Sequence, residues 1–402
     1  MFLEIKKVTK RYDGDTVLNA VSFSAESNSL LVLLGKSGIG KSTLVNIILG
    51  IERADQGDVY LDNNCLSLGR RVLVPLEKRD FGVVFQKNNV IDHLTVRENI
   101  LMGHSSTMID KDLFERELQR YEFDNTNLDR LGKQLSGGER QRVGLIRLFS
   151  KERILYVMDE PLSNVDNPLR LKLIDHIIDK KREIANSKKN GAFLYVTHNQ
   201  AEAMAIADKI VYFSSPDEGP KKHFGASVLG VFRPRQMYDF PPNVEVAEFL
   251  GDPPLHVFPS CWNRAERVLT FLGNENVISA GVLDSLPSGN YQVGIRPERI
   301  VIGQDHPSGK EWYSSRGIVT ATQFQGEEIV VRLSVPSFVR GQRLFVQIDR
   351  GDEEGRATEA VGNVTFTWCV NDLLFYSVDG DEHLVFPKMW IHGDSESVLK
   401  DA

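Results

Sequence analysis

The sequence predicts an α/β unit interrupted by a helical insert and followed by a mostly β unit of small barrels. Three observations carry that reading. Up to about Ser215, strand-like apolar runs alternate with helix-like stripes, which is the pattern of α/β layers. From about 87 to 135 the patterns are helical, as in DKDLFERELQRYEF, and no run reads as a core strand. Beyond Gly251 the chain breaks into short strands: YQVGI, RGIVTATQF, EEIVVRLS, QRLFVQI, NVTFTWCV, LLFYSV and HLVFP. Glycines and Asp/Asn turns separate them, as in one or two small barrels.

The first element of consequence is the apolar run Leu30–Leu34, read as a buried strand. It leads into Gly35-Lys36-Ser37-Gly38-Ile39-Gly40-Lys41-Ser42, which fits G-x-x-x-x-G-K-[ST]. From Thr43 onward, Leu44, Ile47 and Ile48 mark an amphipathic helix. Strand, tight loop and helix are the context this motif demands. Gly35, Gly38 and Gly40 let successive backbone N–H groups, that of Ser37 among them, turn toward an anion. The helix start adds partial positive charge. Lys41 can reach the β and γ phosphates and Ser42 can ligate Mg²⁺, so the loop is read as holding a nucleoside triphosphate.

Further along, QLSGGERQR sets Ser136 before a helix with Glu139 three residues on, a capping-box pattern. A cap alone does not need the glycines Gly137 and Gly138. They expose the first N–H groups of the helix to a close, anionic partner. RILYVMDEP then reads as a buried strand over Ile154–Met158 that ends in Asp159 and Glu160. A carboxylate at that place can hold Mg²⁺, and its neighbour can polarise an attacking water. A helix follows from Pro168 to about Ile184, with Asn167 as N-cap and Leu173, Ile174, Ile177 and Ile178 as its stripe. A strand at Ala192–Thr197 leads to His198, and Asn199 with Glu202 suggests a second capping box. Val211–Phe213 closes the last strand of the unit. The segment from Pro216 to about Gly251 reads as a connection, with a short helix at VEVAEFL.

The chain has 402 residues, room for two or three domains. Its net charge of -7 argues against a dedicated nucleic-acid surface. Cys65, Cys261 and Cys369 lie far apart and suit neither a metal nor a disulfide framework, so a reducing, cytosolic setting is expected. MFLEIKKVTKRY lacks the apolar stretch of a signal peptide, and no window approaches the ~18 apolar residues of a membrane span. Any membrane role must come through a partner.

Taken in order, these motifs resemble the ATP-binding subunit of an ATP-binding-cassette transporter. GKSGIGKST matches the phosphate loop, Gln86 in GVVFQ the glutamine loop, and LSGGERQR the signature. Asp159 and Glu160 match the second nucleotide motif, SNVD (Ser163–Asp166) the dimer-contact loop, and His198 the switch histidine. The fold class implied is an α/β P-loop NTPase cassette with a helical insert, followed by a mostly β C-terminal domain of small OB-like barrels. The cassette would cover 1–240 with its insert at about 87–150, and the regulatory and pairing domain 241–402. VGIRPERI (Val293–Ile300) narrows the resemblance to importer ATPases for sugars and glycerol phosphate.

The resemblance implies a head-to-tail homodimer with two ATP molecules between the subunits. One chain's phosphate loop would hold each ATP, and the other chain's Ser136, Gly137 and Gly138 would close on it. Tyr12 would stack on adenine with Val17 beside the ring. Glu160 would be the catalytic carboxylate, helped by His198, Gln86 and Lys41. Ser42, Gln86 and Asp159 would attend Mg²⁺. The expected partners are integral membrane permease subunits and, indirectly, a solute-binding protein, with no nucleic acid. The expected place is the cytoplasmic face of the inner membrane. Relatives importing polyamine, sulfate or iron share much of this layout, and soluble cassettes acting on DNA or ribosomes are the more distant alternative.

Overall fold

The computed structural model describes the chain except residues 1, 87–89, 103–110, 122, 124–126, 164, 187–190, 215–224, 279–280, 282, 304–311, 326–327, 336–342, 350–362, 379–382 and 387–402. The chain divides into two units, Met1–Pro234 and Arg235–Ala402.

In the first unit, five parallel strands build the sheet that carries the motifs. Their order is Lys209–Ser214, Leu30–Leu34, Ala192–Thr197, Leu155–Asp159 and Phe81–Val84. Leu30–Leu34, Leu155–Asp159 and Ala192–Thr197 are buried along their whole length. That explains their unbroken apolar runs, since a parallel strand covered on both faces has no polar side to show. A sixth strand, Ser227–Phe232, joins the edge antiparallel to Lys209–Ser214. The sequence reading took this stretch as connection. It is an edge strand, only half-buried and with a glycine inside it, so it lacks the apolar signal of its neighbours.

A second sheet is antiparallel and was not foreseen. Its order is Asp15–Ala25, Leu3–Tyr12, Gln56–Leu61, Asn64–Leu68 and Arg71–Val72. Bulges explain why it escaped notice. The pairing slips between Ile5 and Val8, and Lys7 and Ala20 both take φ of 48°. Each slip resets the period-2 alternation that marks a half-buried strand. The two sheets share one core with the face of helix Lys41–Leu49 that carries Leu44, Ile47 and Ile48. Arg79 fastens the far end of that helix. Its buried guanidinium donates to the carbonyls of Ile48, Leu66 and Val74 and to the Ser67 hydroxyl.

The insert contains helices Val96–Leu101, Lys111–Arg120 and Gly137–Phe149. A buried ion pair, Lys180 Nζ to Glu117 Oε1 at 2.9 Å, ties the second of these to helix Asn167–Ala185. The start of Asn167–Ala185 corrects the expected cap. Asp166 occupies the N-cap without a side-chain bond, and Asn167 lies inside the first turn. The Asn167 side chain is engaged elsewhere, accepting from Arg170 Nη1 at 2.9 Å.

The second unit contains the short helices Pro234–Asp239, reaching in from the boundary, and Val244–Phe249, the latter capped by Asn243. Two antiparallel sheets follow. One runs Asn274–Val277, Val268–Phe271, His256–Asn263, Gly289–Ile295, Leu374–Tyr376, Leu384–Phe386. The other runs Val301–Ile302, Asn363–Cys369, Trp312–Gln325, Glu328–Ser334, Leu344–Asp349. Phe258, Phe271 and Val293 from the first meet Val331, Phe366 and Trp368 from the second in one core. Each of the seven stretches read as strands contains one, and several extend a residue or two past its ends. The meander His256–Val277 was missed, in part because Pro259 sits inside it and a proline demotes a strand reading. Arg296 of the GIRPE run is buried. It donates to the carbonyls of Leu250 at 2.5 Å and Tyr238 at 2.7 Å and lies 4.0 Å from the Tyr238 ring centroid.

His256 joins the two sheets. The Phe345 N–H donates to its Nε2 at 2.8 Å, and its ring stacks on Phe345. Burial pushes its pKa down to about 4, against the weaker pull of the Phe345 carbonyl. The unfolded chain, with a pKa near 6.5, takes up the proton first as pH falls. This histidine therefore costs no stability above pH ~6.5. It removes about 3 kcal/mol progressively between ~6.5 and ~4, and nothing further below. Denaturant titrations of this unit's transition at pH 7.5 and 5 should show about two-thirds of that loss, and His256→Phe should flatten it. An unchanged slope in the variant would assign the loss to other groups.

Candidate active site

The phosphate loop, Gln86, Asp159, Glu160 and His198 gather where α/β sheets bind ligands, at the carboxyl ends of the parallel strands. Leu30–Leu34 runs into a loop whose Lys36, Ser37 and Gly38 are exposed. Gly38 and Gly40 have φ of 79° and 104°, left-handed values that a side chain resists. A Cβ on Gly40 would also stand 3.0 Å from Val17 Cγ1 and from Leu18 Cδ2, so Val17 packs directly beneath the loop. The helix from Lys41 starts without a side-chain cap, leaving its first N–H groups for something else. Lys41 itself is buried, and its ammonium donates to the carbonyls of Gly35 at 2.7 Å and Lys36 at 2.9 Å. Burial lowers its pKa, and the nearby Glu160 and Asp159 charges oppose that.

Asp159 and Glu160 are neighbours with different surroundings. Asp159 is buried at the end of its strand and takes a hydrogen bond from Ser42. Burial raises its pKa. The Ser42 bond and the Lys41 charge oppose the rise, while the Glu160 charge adds to it. Its Oδ1 is buried with no partner. Glu160 takes φ of 46°, a left-handed conformation costing roughly 1–2 kcal/mol in a residue with a Cβ. Its N–H donates to the Val196 carbonyl at 2.9 Å. Its carboxylate lies between Gln86, whose Nε2 donates to Oε2 at 2.6 Å, and His198, whose Nδ1 is 2.8 Å from Oε1. The strained turn thus aims the two carboxylates at different partners.

The residues fit a hard cation. A buried carboxylate oxygen without a partner, a serine hydroxyl bonded to the same carboxylate and an amide oxygen on Gln86 are the oxygen donors Mg²⁺ prefers.

The segment carrying His198 is clamped by a residue whose role sequence reasoning missed. Glu202 was expected to complete a capping box with Asn199. Only half forms: Asn199 Oδ1 accepts from the Glu202 N–H at 3.1 Å. The Glu202 carboxylate is drawn into the core instead. Its Oε2 accepts from the hydroxyls of Tyr195 and Thr197, each at 2.9 Å, and Arg170 lies 3.4 Å from Oε1. Arg170 also donates to the Val165 carbonyl at 3.0 Å. One guanidinium therefore links the loop after Glu160 to the segment of His198. No local motif marks this pair.

Ser136 behaves as its pattern predicts. Its hydroxyl accepts from the Glu139 N–H at 3.3 Å, and Glu139 Oε2 accepts from the Ser136 N–H at 2.7 Å. Arg130 grips the other oxygen of Glu139 at 2.7 Å, and that bond and the Ser136 groups hold the carboxyl down at about 2. Ser136 and Gly137 are exposed, and nothing lies within 4 Å of a Cβ built on Gly138. Of Ser163–Asp166, Asn164 lies outside the described residues, and Ser163 accepts from Gln141 of the Ser136 helix at 3.4 Å. Tyr12, 41% exposed, ends the strand Leu3–Tyr12 and hydrogen-bonds with Thr43 and Glu52.

These features define the class. Residues 18–163 match the family described as ABC transporter, and residues 293–374 match the TOBE domain. The chain belongs to the family of import ATP-binding subunits of ABC transporters, which are ATPases coupled to transport. It is 30% identical over 384 residues to the sn-glycerol-3-phosphate import ATP-binding protein UgpC of Brucella abortus biovar 1 (strain 9-941). That match covers 94% of this chain and 97% of the relative. It is 32% identical to the protein of that name from Rhizobium meliloti (strain 1021), covering 82% and 86%. It is 30% identical to the maltose/maltodextrin import ATP-binding protein MalK of Mannheimia succiniciproducens, covering 87% and 91%.

Proposed function

We propose that this chain hydrolyses ATP to drive import of a phosphorylated polyol or a sugar, with glycerol phosphate the first candidate. The observation that carries the chemistry is the Glu160 carboxylate held between Gln86 and His198 while Asp159 faces Ser42. In this reading Glu160 accepts the proton of the attacking water, and His198 and Gln86 fix the carboxylate and contact the γ-phosphate side. Lys41 turns from the loop carbonyls to the β and γ phosphates. The N–H groups from Gly35 through Thr43 cradle the rest, and Tyr12 with Val17 receives the base. Ser42, Asp159 and Gln86 would hold Mg²⁺. Bound there, the cation would neutralise phosphate charge.

The exposed Ser136 and Gly137, with Gly138, complete the site of a second copy, so ATP closes a homodimer. No described helix is long and apolar enough to cross a membrane. In this reading, membrane-spanning permease subunits supply the pathway, a solute-binding protein delivers the solute, and the chain works at the cytoplasmic face. A cassette over 1–240 and a pairing and regulatory domain over 241–402 complete the assignment.

The test is vesicle reconstitution with candidate glycerol-phosphate and maltodextrin permeases and their binding proteins. ATPase activity should rise several-fold with sn-glycerol 3-phosphate inside the assay. Stimulation by maltodextrin alone would move the substrate to the sugar class. No stimulation by either would remove both.

A further inference from the structure

We infer that Glu52 and Lys10 are positioning residues that hold the Tyr12 ring as a fixed platform for the nucleotide base. This rests on the ATP reading above. Tyr12 stands at a hairpin end, paired with Asp15, and is 41% exposed. A ring so placed has little packing to set its two side-chain torsions, and a base that stacks on it must also immobilise it.

Polar contacts take that freedom away beforehand. The Tyr12 hydroxyl donates to Glu52 Oε1. The same carboxylate oxygen lies 3.0 Å from Lys10 Nζ. Lys10 Nζ is anchored in turn, donating to the Arg53 carbonyl at 2.9 Å, and it lies over the Tyr12 ring, 4.9 Å from its centroid. The ammonium thus takes one face of the ring and leaves the other to a planar base. Thr43, in the first turn of the phosphate-loop helix, also hydrogen-bonds the Tyr12 side chain.

Glu52 is itself referenced to that helix. Its N–H donates to the Asn46 carbonyl at 3.1 Å. The platform is therefore registered to the same helix whose start faces the phosphates. Distance and angle between base and triphosphate are set before the ligand arrives. The phenol remains a donor throughout, since burial and the Glu52 carboxylate push its pKa up to about 12. Neither Glu52 nor Lys10 is among the groups proposed to hold the phosphates, which separates their effect from that of Lys41.

The experiment compares the affinity of the full chain for ATP and for inorganic tripolyphosphate, which uses the loop but not the platform. Glu52→Ala is expected to weaken ATP binding by about 3- to 10-fold, the scale of one freed side chain. Tripolyphosphate affinity should stay within about twofold, which also reports an intact fold. Tyr12→Phe, which keeps the ring and loses the hydroxyl, should weaken ATP similarly. The double variant should fall well short of the product of the two single losses, because both remove the shared Tyr12–Glu52 bond. Glu52→Gln, which keeps an acceptor, should recover part of the loss. Unchanged ATP affinity in Glu52→Ala, equal losses for both ligands, or additive effects in the double variant would each overturn the proposal. Tyr12→Ala tells the two levels apart. If it too leaves ATP affinity unchanged, the base platform itself is wrong and the positioning role falls with it. If Tyr12→Ala weakens ATP and Glu52→Ala does not, only the positioning role falls.

Discussion

Glu160→Gln is expected to lower the rate of ATP hydrolysis about 10³-fold while leaving ATP bound, on the scale of losing a general base. The geometry explains why this substitution isolates chemistry from binding. Glu160 lies outside the phosphate loop, and its two oxygens are spent on Gln86 Nε2 and His198 Nδ1. A glutamine amide can keep both contacts: its oxygen accepts from Gln86 and its nitrogen donates to a neutral His198. Backbone strain at φ 46° is the same for either residue, so the fold has no new reason to fail. What disappears is the basic oxygen. Closure across Ser136–Gly138 needs the γ-phosphate, and hydrolysis ends it, so the variant should accumulate as a closed dimer with two intact ATP molecules. Ser136→Arg should prevent that closure by bulk. Size-exclusion chromatography with ATP, followed by analysis of the bound nucleotide, checks both statements. A dimer holding only ADP, or hydrolysis within tenfold of the wild type, would return Glu160 to an ordinary structural acid.

What was legible in the sequence was what is local. The phosphate loop, the strand ending in Asp159 and Glu160 and the Ser136 cap each lie within about ten residues, and each set of atoms is found where its motif put it. The two candidate capping boxes show where local reading stops. Ser136-x-x-Glu139 closes in both directions because Glu139 stays at the surface beside Arg130. Asn199-x-x-Glu202 has the same spacing and closes in one, because Tyr195 and Thr197 offer Glu202 two buried hydroxyls. Those donors belong to the strand, and no four-residue pattern reports them. The antiparallel sheet was hidden for a related reason. Its alternation is broken by bulges that only pairing with a distant strand reveals. Glu52 shares this property, lying 40 positions from the tyrosine it holds.

Lys41→Ala should cost ~10²–10³-fold or more in hydrolysis, by analogy with removing one donor aimed at developing charge, and should also weaken ATP binding. The second effect separates it from Glu160→Gln. The ammonium is buried and donates to the carbonyls of Gly35 and Lys36. Burial disfavours its charge, and two neighbouring carboxylates sustain it. A triphosphate offers this buried charge anionic oxygens, which bind an ammonium more strongly than neutral carbonyls do, so the nucleotide gains from Lys41 directly. Alanine loses the gain and also leaves the two loop carbonyls without their donor. Lysine to arginine is not a gentle alternative. The guanidinium is a broad planar fork, and the space bounded by the Gly35 and Lys36 carbonyls holds a compact point charge. Lys41→Arg should therefore also fall well below wild type. Fluorescent-ATP titration alongside steady-state hydrolysis measures the two losses separately. Hydrolysis within a few-fold of wild type in Lys41→Ala would remove this lysine from the reaction, and with it the assignment of the loop.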